Sequence, residues 1–118
     1  MSEEEKRICH PDGRIKYIDT PEGRYKFNYT EDKELDVVLC PDDSKYEFFY
    51  GEEGEIDCME TPYGTLNFFY TRSGKLDSIN VEGIGEFVFY YDDNDVQIEI
   101  VGEIDEILEN ELRLFGIL

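Results

Sequence analysis

The chain has 118 residues, 40% of them hydrophobic and 14% aromatic, and its 30 acidic against 11 basic residues give a net charge of −19. That apolar content supplies a core and argues against disorder, and the length fits a single domain, 1–118. No run approaches the ~18 apolar residues of a membrane helix, and the charge sets direct contact with nucleic-acid phosphates or an anionic membrane at a disadvantage.

In chain order, residues 1–12 form an N-terminal segment. Met1 to Arg7 is charged and lacks the apolar stretch of a signal peptide. Cys9, Cys40 and Cys58 are odd in number and match no zinc or redox spacing, which points to a reducing cytoplasm with thiols, a disulfide between two of them staying open. His10, the only histidine, stands in Cys9-His10-Pro11-Asp12-Gly13. Neighbours on a strand point to opposite faces, so Cys9 and His10 make a poor catalytic pair. A turn role before proline fits His10 better, and no metal site or cofactor is expected.

Residues 13–101 are repetitive. Shifted by 41 residues, 13–36 fall on 54–77 with ten identities, among them Pro21/Pro62, Gly23/Gly64, Phe27/Phe68 and Tyr29/Tyr70. Within this unit an aromatic strand recurs at Tyr25–Tyr29, Tyr46–Tyr50, Leu66–Tyr70 and Phe87–Tyr91, with starts 21, 20 and 21 residues apart. Polar turns follow, at 30–33, 51–54, 71–74 and 92–95, and return strands open at Leu35-Asp36, Ile56-Asp57 and Leu76-Asp77. A second set of turns, at 20–23, 41–44, 61–64 and 82–85, closes each unit with Pro or Gly. Units of ~20 residues with strands of ~5–7 are hairpins. With a leading strand at Arg14–Asp19 they make a mainly β, antiparallel up-and-down meander of about nine strands, as an open sheet or a barrel.

The period of two puts Tyr25, Phe27 and Tyr29, and their counterparts in later units, on a core face. The other face begins polar, at Lys26 and Asn28, and turns apolar at Phe49, Phe69, Val88 and Tyr90. Ile104, Ile107, Leu108, Leu112 and Phe115 have helical spacing, so a helix over 103–115 is expected to lie across that second row. A final strand at Glu111–Leu118 is the competing reading.

The unit, and above all Phe68-Phe69-Tyr70-Thr71-Arg72-Ser73-Gly74-Lys75-Leu76-Asp77-Ser78-Ile79, resembles the YD repeat of RHS proteins and teneurins over residues 13–101. The resemblance implies a strip of hairpins, which in that family spirals into a shell around a cargo. The Tyr-Asp pair survives only at Tyr91-Asp92, and four units are too few to enclose a cargo.

No Gly-rich phosphate loop or catalytic constellation stands out, and no basic patch interleaved with aromatics is visible along the chain. Asp92-Asp93-Asn94-Asp95 lacks the Gly and bidentate Glu of a calcium loop and reads as a solvated turn. Asp36, Asp57 and Asp77 recur at one position and are expected to bond turn amides in a ladder.

Alternate turns share an edge in a meander, so Glu31, Asp32, Glu52, Glu53, Asp92, Asp93 and Asp95 are expected on one edge as a partner-binding row. The expected activity is non-enzymatic: an inhibitor, of the anti-defence or immunity type, that blocks a basic surface of a nucleic-acid-binding enzyme or toxin, in part as a DNA mimic. The alternative is a structural module that self-associates through its sheet edges or through Phe49, Phe69 and Tyr90; between the two readings the chain is expected to be a monomer or a homodimer.

Overall fold

The computed structural model describes residues 5–93 and 95–118, so the expectations resting on Met1–Glu4 and Asn94 lie outside the described residues. Ten antiparallel strands follow one another in chain order in a single meander sheet that does not close into a barrel. They are β1 (Lys6–Cys9), β2 (Ile15–Thr20), β3 (Gly23–Tyr29), β4 (Leu35–Leu39), β5 (Lys45–Tyr50), β6 (Ile56–Thr61), β7 (Gly64–Tyr70), β8 (Leu76–Val81), β9 (Gly85–Tyr91) and β10 (Val96–Gly102), followed by the helix α1 (Glu106–Leu114). The strand beyond the expected count is β1, which the polar composition of the N-terminal segment disguised. It pairs with β2 from Lys6↔Asp19 to Cys9↔Ile15, with a bulge at Ile8/Cys9.

Turn chemistry explains the regular spacing. Five loops share one closure, in which the first residue donates its N–H to the carbonyl of the fifth and the fourth donates to that of the first. They span 10–14, 30–34, 40–44, 51–55 and 71–75, and the fourth residue of each (Gly13, Lys33, Asp43, Gly54 and Gly74) is left-handed, with φ between 70° and 95°. This is the three-residue hairpin loop, a type I turn ending in a left-handed residue. The turn 41–44, assigned from sequence to the second set, is of this first kind. Between β2 and β3 the link is tighter: Thr20 pairs with Gly23 across Pro21 and Glu22, and the Thr20 hydroxyl donates to the Gly23 carbonyl.

The chain divides into two compact units, Met1–Phe49 with Glu60–Pro62, and Tyr50–Met59 with Tyr63–Leu118. In the first, Ile18, Val38 and Tyr46 are fully buried, with Tyr25, Phe27 and Phe48 nearly so. In the second, Met59, Leu66, Ile79, Val81 and Phe87 are fully buried beside Phe68 and Phe89. The face alternation read from the sequence therefore holds in both.

The helix forms, but it starts later than expected and leaves the second aromatic row of this unit exposed. Asp105 stays extended (φ −61°, ψ 131°) and its carboxylate caps the helix by accepting from the Ile107 N–H at 2.8 Å. Leu108 and Leu112 are buried while Phe69 and Tyr90 remain 52% exposed. On the first face of this unit Leu66, Phe68, Ile79 and Phe87 are withdrawn from water. The second row fails to recruit the helix because polar residues interrupt it. Phe69 and Val88 both pair with Ser78, Val88 also with Glu99, and Tyr90 with Gln97.

Candidate functional site: a cationic cleft and acidic turns

The last tyrosine of an aromatic strand anchors the repeat. Tyr29 donates its hydroxyl to the Ile15 carbonyl at 2.7 Å, Tyr70 to Ile56 at 2.7 Å and Tyr91 to Leu76 at 2.5 Å. Each bond joins the end of one strand to the start of its neighbour. The residue before each acceptor differs. Arg14 places its guanidinium 4.6 Å from the Tyr29 ring, Lys75 its ammonium 5.0 Å from that of Tyr91, and Glu55 stands beside Tyr70 as a carboxylate. Burial raises the Tyr29 and Tyr70 pKa values; Arg14 opposes the rise at Tyr29, and Glu55 adds to it at Tyr70.

This device shapes a cleft in the N-terminal unit. An open cavity of about 740 Å³ is lined by Arg14, Lys16, Arg24, Lys26 and Lys33, with Glu31 its only acid. Five of the eleven cations of a strongly acidic chain thus meet in one place. The Arg24 guanidinium lies 3.7 Å over the Tyr17 ring and pairs with Asp19 at 2.7 Å. That pairing lowers the Asp19 pKa and raises that of Arg24. Arg14 is held by the Tyr29 ring and by its Nε bond to Asp12 at 2.8 Å, while His10 meets Tyr29 edge-on at 6.1 Å between centroids. The Arg14 backbone amide and guanidinium both lower the Asp12 pKa. Among the described residues, Lys16, Lys26 and Lys33 make no ion pair within 4.0 Å.

The cleft corrects the expectation that no basic patch interleaves with aromatics. Read along the chain, Arg14, Lys16, Arg24, Lys26 and Lys33 are diluted by Asp19, Glu22, Glu31 and Asp32. Strand pairing gathers two of them on one face: Tyr17 lies opposite Lys26, and Arg24 opposite Asp19. The usable signal was asymmetry, since eight of the eleven cations precede residue 50.

The expected acidic residues are all exposed, at the tips of their turns: Glu31 and Asp32 in the N-terminal unit, Glu52, Glu53, Asp92, Asp93 and Asp95 in the C-terminal one. They are not an unbroken row. In the C-terminal unit the loop 71–75, with Arg72 and Lys75, lies between the loops carrying Glu52 and Asp92 in strand order, and Glu31 borders the cleft. Asp92 and Asp95 tie their own turn, Asp92 Oδ1 accepting from the Asp95 N–H at 3.1 Å. Asp36, Asp57 and Asp77 are exposed and form no ladder of bonds to turn amides, because those amides already serve backbone carbonyls. Phe49, Phe69 and Tyr90 are 46–52% exposed, and Tyr90 donates to Glu99 at 2.9 Å.

No disulfide joins Cys9, Cys40 and Cys58. Among the described residues no three His, Cys, Asp or Glu side chains converge on a point that would hold a metal, and no helix is long and apolar enough to cross a membrane. No family model matches the chain, and no curated protein matches it in sequence.

Proposed function

We propose that the protein is a non-enzymatic acidic binding protein of the cytoplasm, which docks the carboxylate-bearing turns of its C-terminal unit on a basic surface of a partner protein and blocks it. The observation that carries this reading is the charge of residues 50–118, where seventeen acids face three cations and Glu52, Glu53, Asp92, Asp93 and Asp95 stand exposed on turn tips. Turns tied by their own backbone bonds, as at 51–55, present their carboxylates with little backbone ordering left to do on binding. Such a surface steers a cationic partner and complements a cleft that ordinarily takes phosphates. An inhibitor of a nucleic-acid-binding enzyme or of a toxin fits that chemistry, and the hairpin repeat, like the YD repeat it resembles, supplies the scaffold. Affinity capture on the immobilised protein tests the reading: a basic protein retained at low salt and released at high salt supports it, and an empty eluate at low salt overturns it.

Self-association is the second reading, favoured by the half-exposed Phe49, Phe69 and Tyr90. Sedimentation of wild type against Phe69→Ser with Tyr90→Ser tests it. A dimer lost in the variant supports it, and a monomer throughout removes it.

A further inference from the structure

We propose that the cleft of the N-terminal unit is a binding site for a small multivalent anion, a molecule bearing phosphate groups, separate from the acidic surface and independent of the reading above. Its volume of about 740 Å³ lies within the ~300–1,000 Å³ of small-molecule sites. Its free charge is that of Lys16, Lys26 and Lys33, which line it without an ion pair among the described residues, while Arg14 and Arg24 are paired with Asp12 and Asp19.

Arg14 is the residue whose geometry says most. Its Nε is committed to Asp12 and its plane is held against Tyr29, yet its two Nη groups donate to no described group. A guanidinium fixed at its base, with both terminal donors unspent, is a preformed fork for a phosphate. Arg24, also on the lining, is stacked on Tyr17 and held more fully, its Nε and one Nη both donating to Asp19. Neither arginine has to surrender its rotamer freedom when an anion arrives, because stacking and a carboxylate have already fixed it.

The net charge of −19 sets the size of the ligand rather than forbidding one. At physiological salt the Debye length is ~8 Å, so a small anion seated beside Lys16, Lys26 and Lys33 is screened from the acids of the distant turns. A second copy of this chain would bring another nineteen negative charges, and a long polyanion would run out over acidic turns. Both are penalised where a compact phosphate compound is not.

Calorimetric and ¹H–¹⁵N NMR titrations of the full chain with inorganic pyrophosphate, and with a nucleoside diphosphate, decide the matter. Binding is expected to saturate at one ligand per chain and to weaken with salt, moving amide signals within residues 10–33. Arg14→Gln is expected to weaken it about tenfold or more, the range of a lost charge-assisted bond. Lys26→Gln, an exposed change that leaves the stacks intact, is expected to weaken it severalfold. Lys45→Gln removes the same charge outside the cleft, where Lys45 pairs with Glu47, and should leave binding within twofold. Tighter binding of the diphosphate nucleoside than of pyrophosphate would assign the remaining volume to an organic moiety; equal binding would assign the site to the phosphates alone. Absence of saturable binding, equal weakening by Lys45→Gln, or cleft signals that move with protein concentration alone would each overturn the proposal, the last in favour of a second copy as the occupant.

Discussion

The hydroxyl of Tyr70 donates to the carbonyl of Ile56 at 2.7 Å, and 41 residues earlier Tyr29 makes the same bond to Ile15. The aromatic strand therefore ends in tyrosine rather than phenylalanine for a reason of hydrogen bonding. Each tyrosine sits at or beside a bulge, Asn28/Tyr29 and Phe69/Tyr70, where the ladder is irregular and a side chain restores a cross-strand tie. Tyr70→Phe keeps the ring and loses the bond. It is expected to cost ~1 kcal/mol, a fall of about 3–6 °C in Tm for a domain of this size, measured by thermal unfolding against wild type.

The same tyrosines set an alkaline limit. Burial raises the pKa of Tyr29 and Tyr70, and the hydrogen bond to Glu99 raises that of Tyr90. A folded-state value above the unfolded one, ~10 for tyrosine, gives stabilisation that is complete below ~10 and is lost as pH climbs through the raised values. Urea midpoints taken from pH 8 to 11 should fall more gently above pH 10 in a Tyr29→Phe, Tyr70→Phe double variant than in wild type, although the variant starts lower. Parallel curves would refute the assignment.

Gly85 and Gly102 face each other across β9 and β10. A Cβ on Gly85 would strike the Val101 carbonyl oxygen, and one on Gly102 the Ile84 carbonyl oxygen and Gly85 Cα. Gly85→Ala is thus expected to force this end of β10 away, and with it the entry to the helix cap at Asp105. A loss of ~2 kcal/mol or more is expected, with faster amide exchange concentrated in Val96–Gly102 and Glu106–Leu114.

The shared loop closure makes a paired prediction. Asp43 and Gly74 occupy the same left-handed position, with φ of 74° and 90°. A Cβ on Gly74 meets nothing within 4 Å, so Gly74→Ala tests backbone conformation alone and should destabilise by ~1 kcal/mol. Asp43→Gly should be neutral or stabilising by up to ~1 kcal/mol, since aspartate tolerates this region better than most residues. Urea denaturation of both variants checks the sign of each.

The repeat was legible because it rests on local chemistry. Thr30-to-Glu34 and Thr71-to-Lys75 announce their loops by composition, and Phe27/Phe68 alternate with polar neighbours at the period of a strand. What escaped depends on partners distant in sequence. The strand Lys6–Cys9 is written in charged residues and becomes a strand only by pairing with β2. The helix was visible in its spacing, but the exposure of the second aromatic row was not, because Ser78, Glu99 and Gln97 come to interrupt it only through strand pairing. The cleft needed Lys26 and Arg24 set opposite Tyr17 and Asp19 by strand register, which no window along the chain displays.

The most direct measurement of the central claim is affinity capture from source-cell lysate at low salt, run with wild type beside a variant carrying Glu52→Gln, Glu53→Gln, Asp92→Asn and Asp93→Asn. All four side chains are exposed, so the fold should persist, as circular dichroism of the variant would verify. The account expects one basic protein to be held by wild type, released by high salt, and held weakly or not at all by the variant. A partner that wild type and variant retain equally, or none that responds to salt, would contradict it.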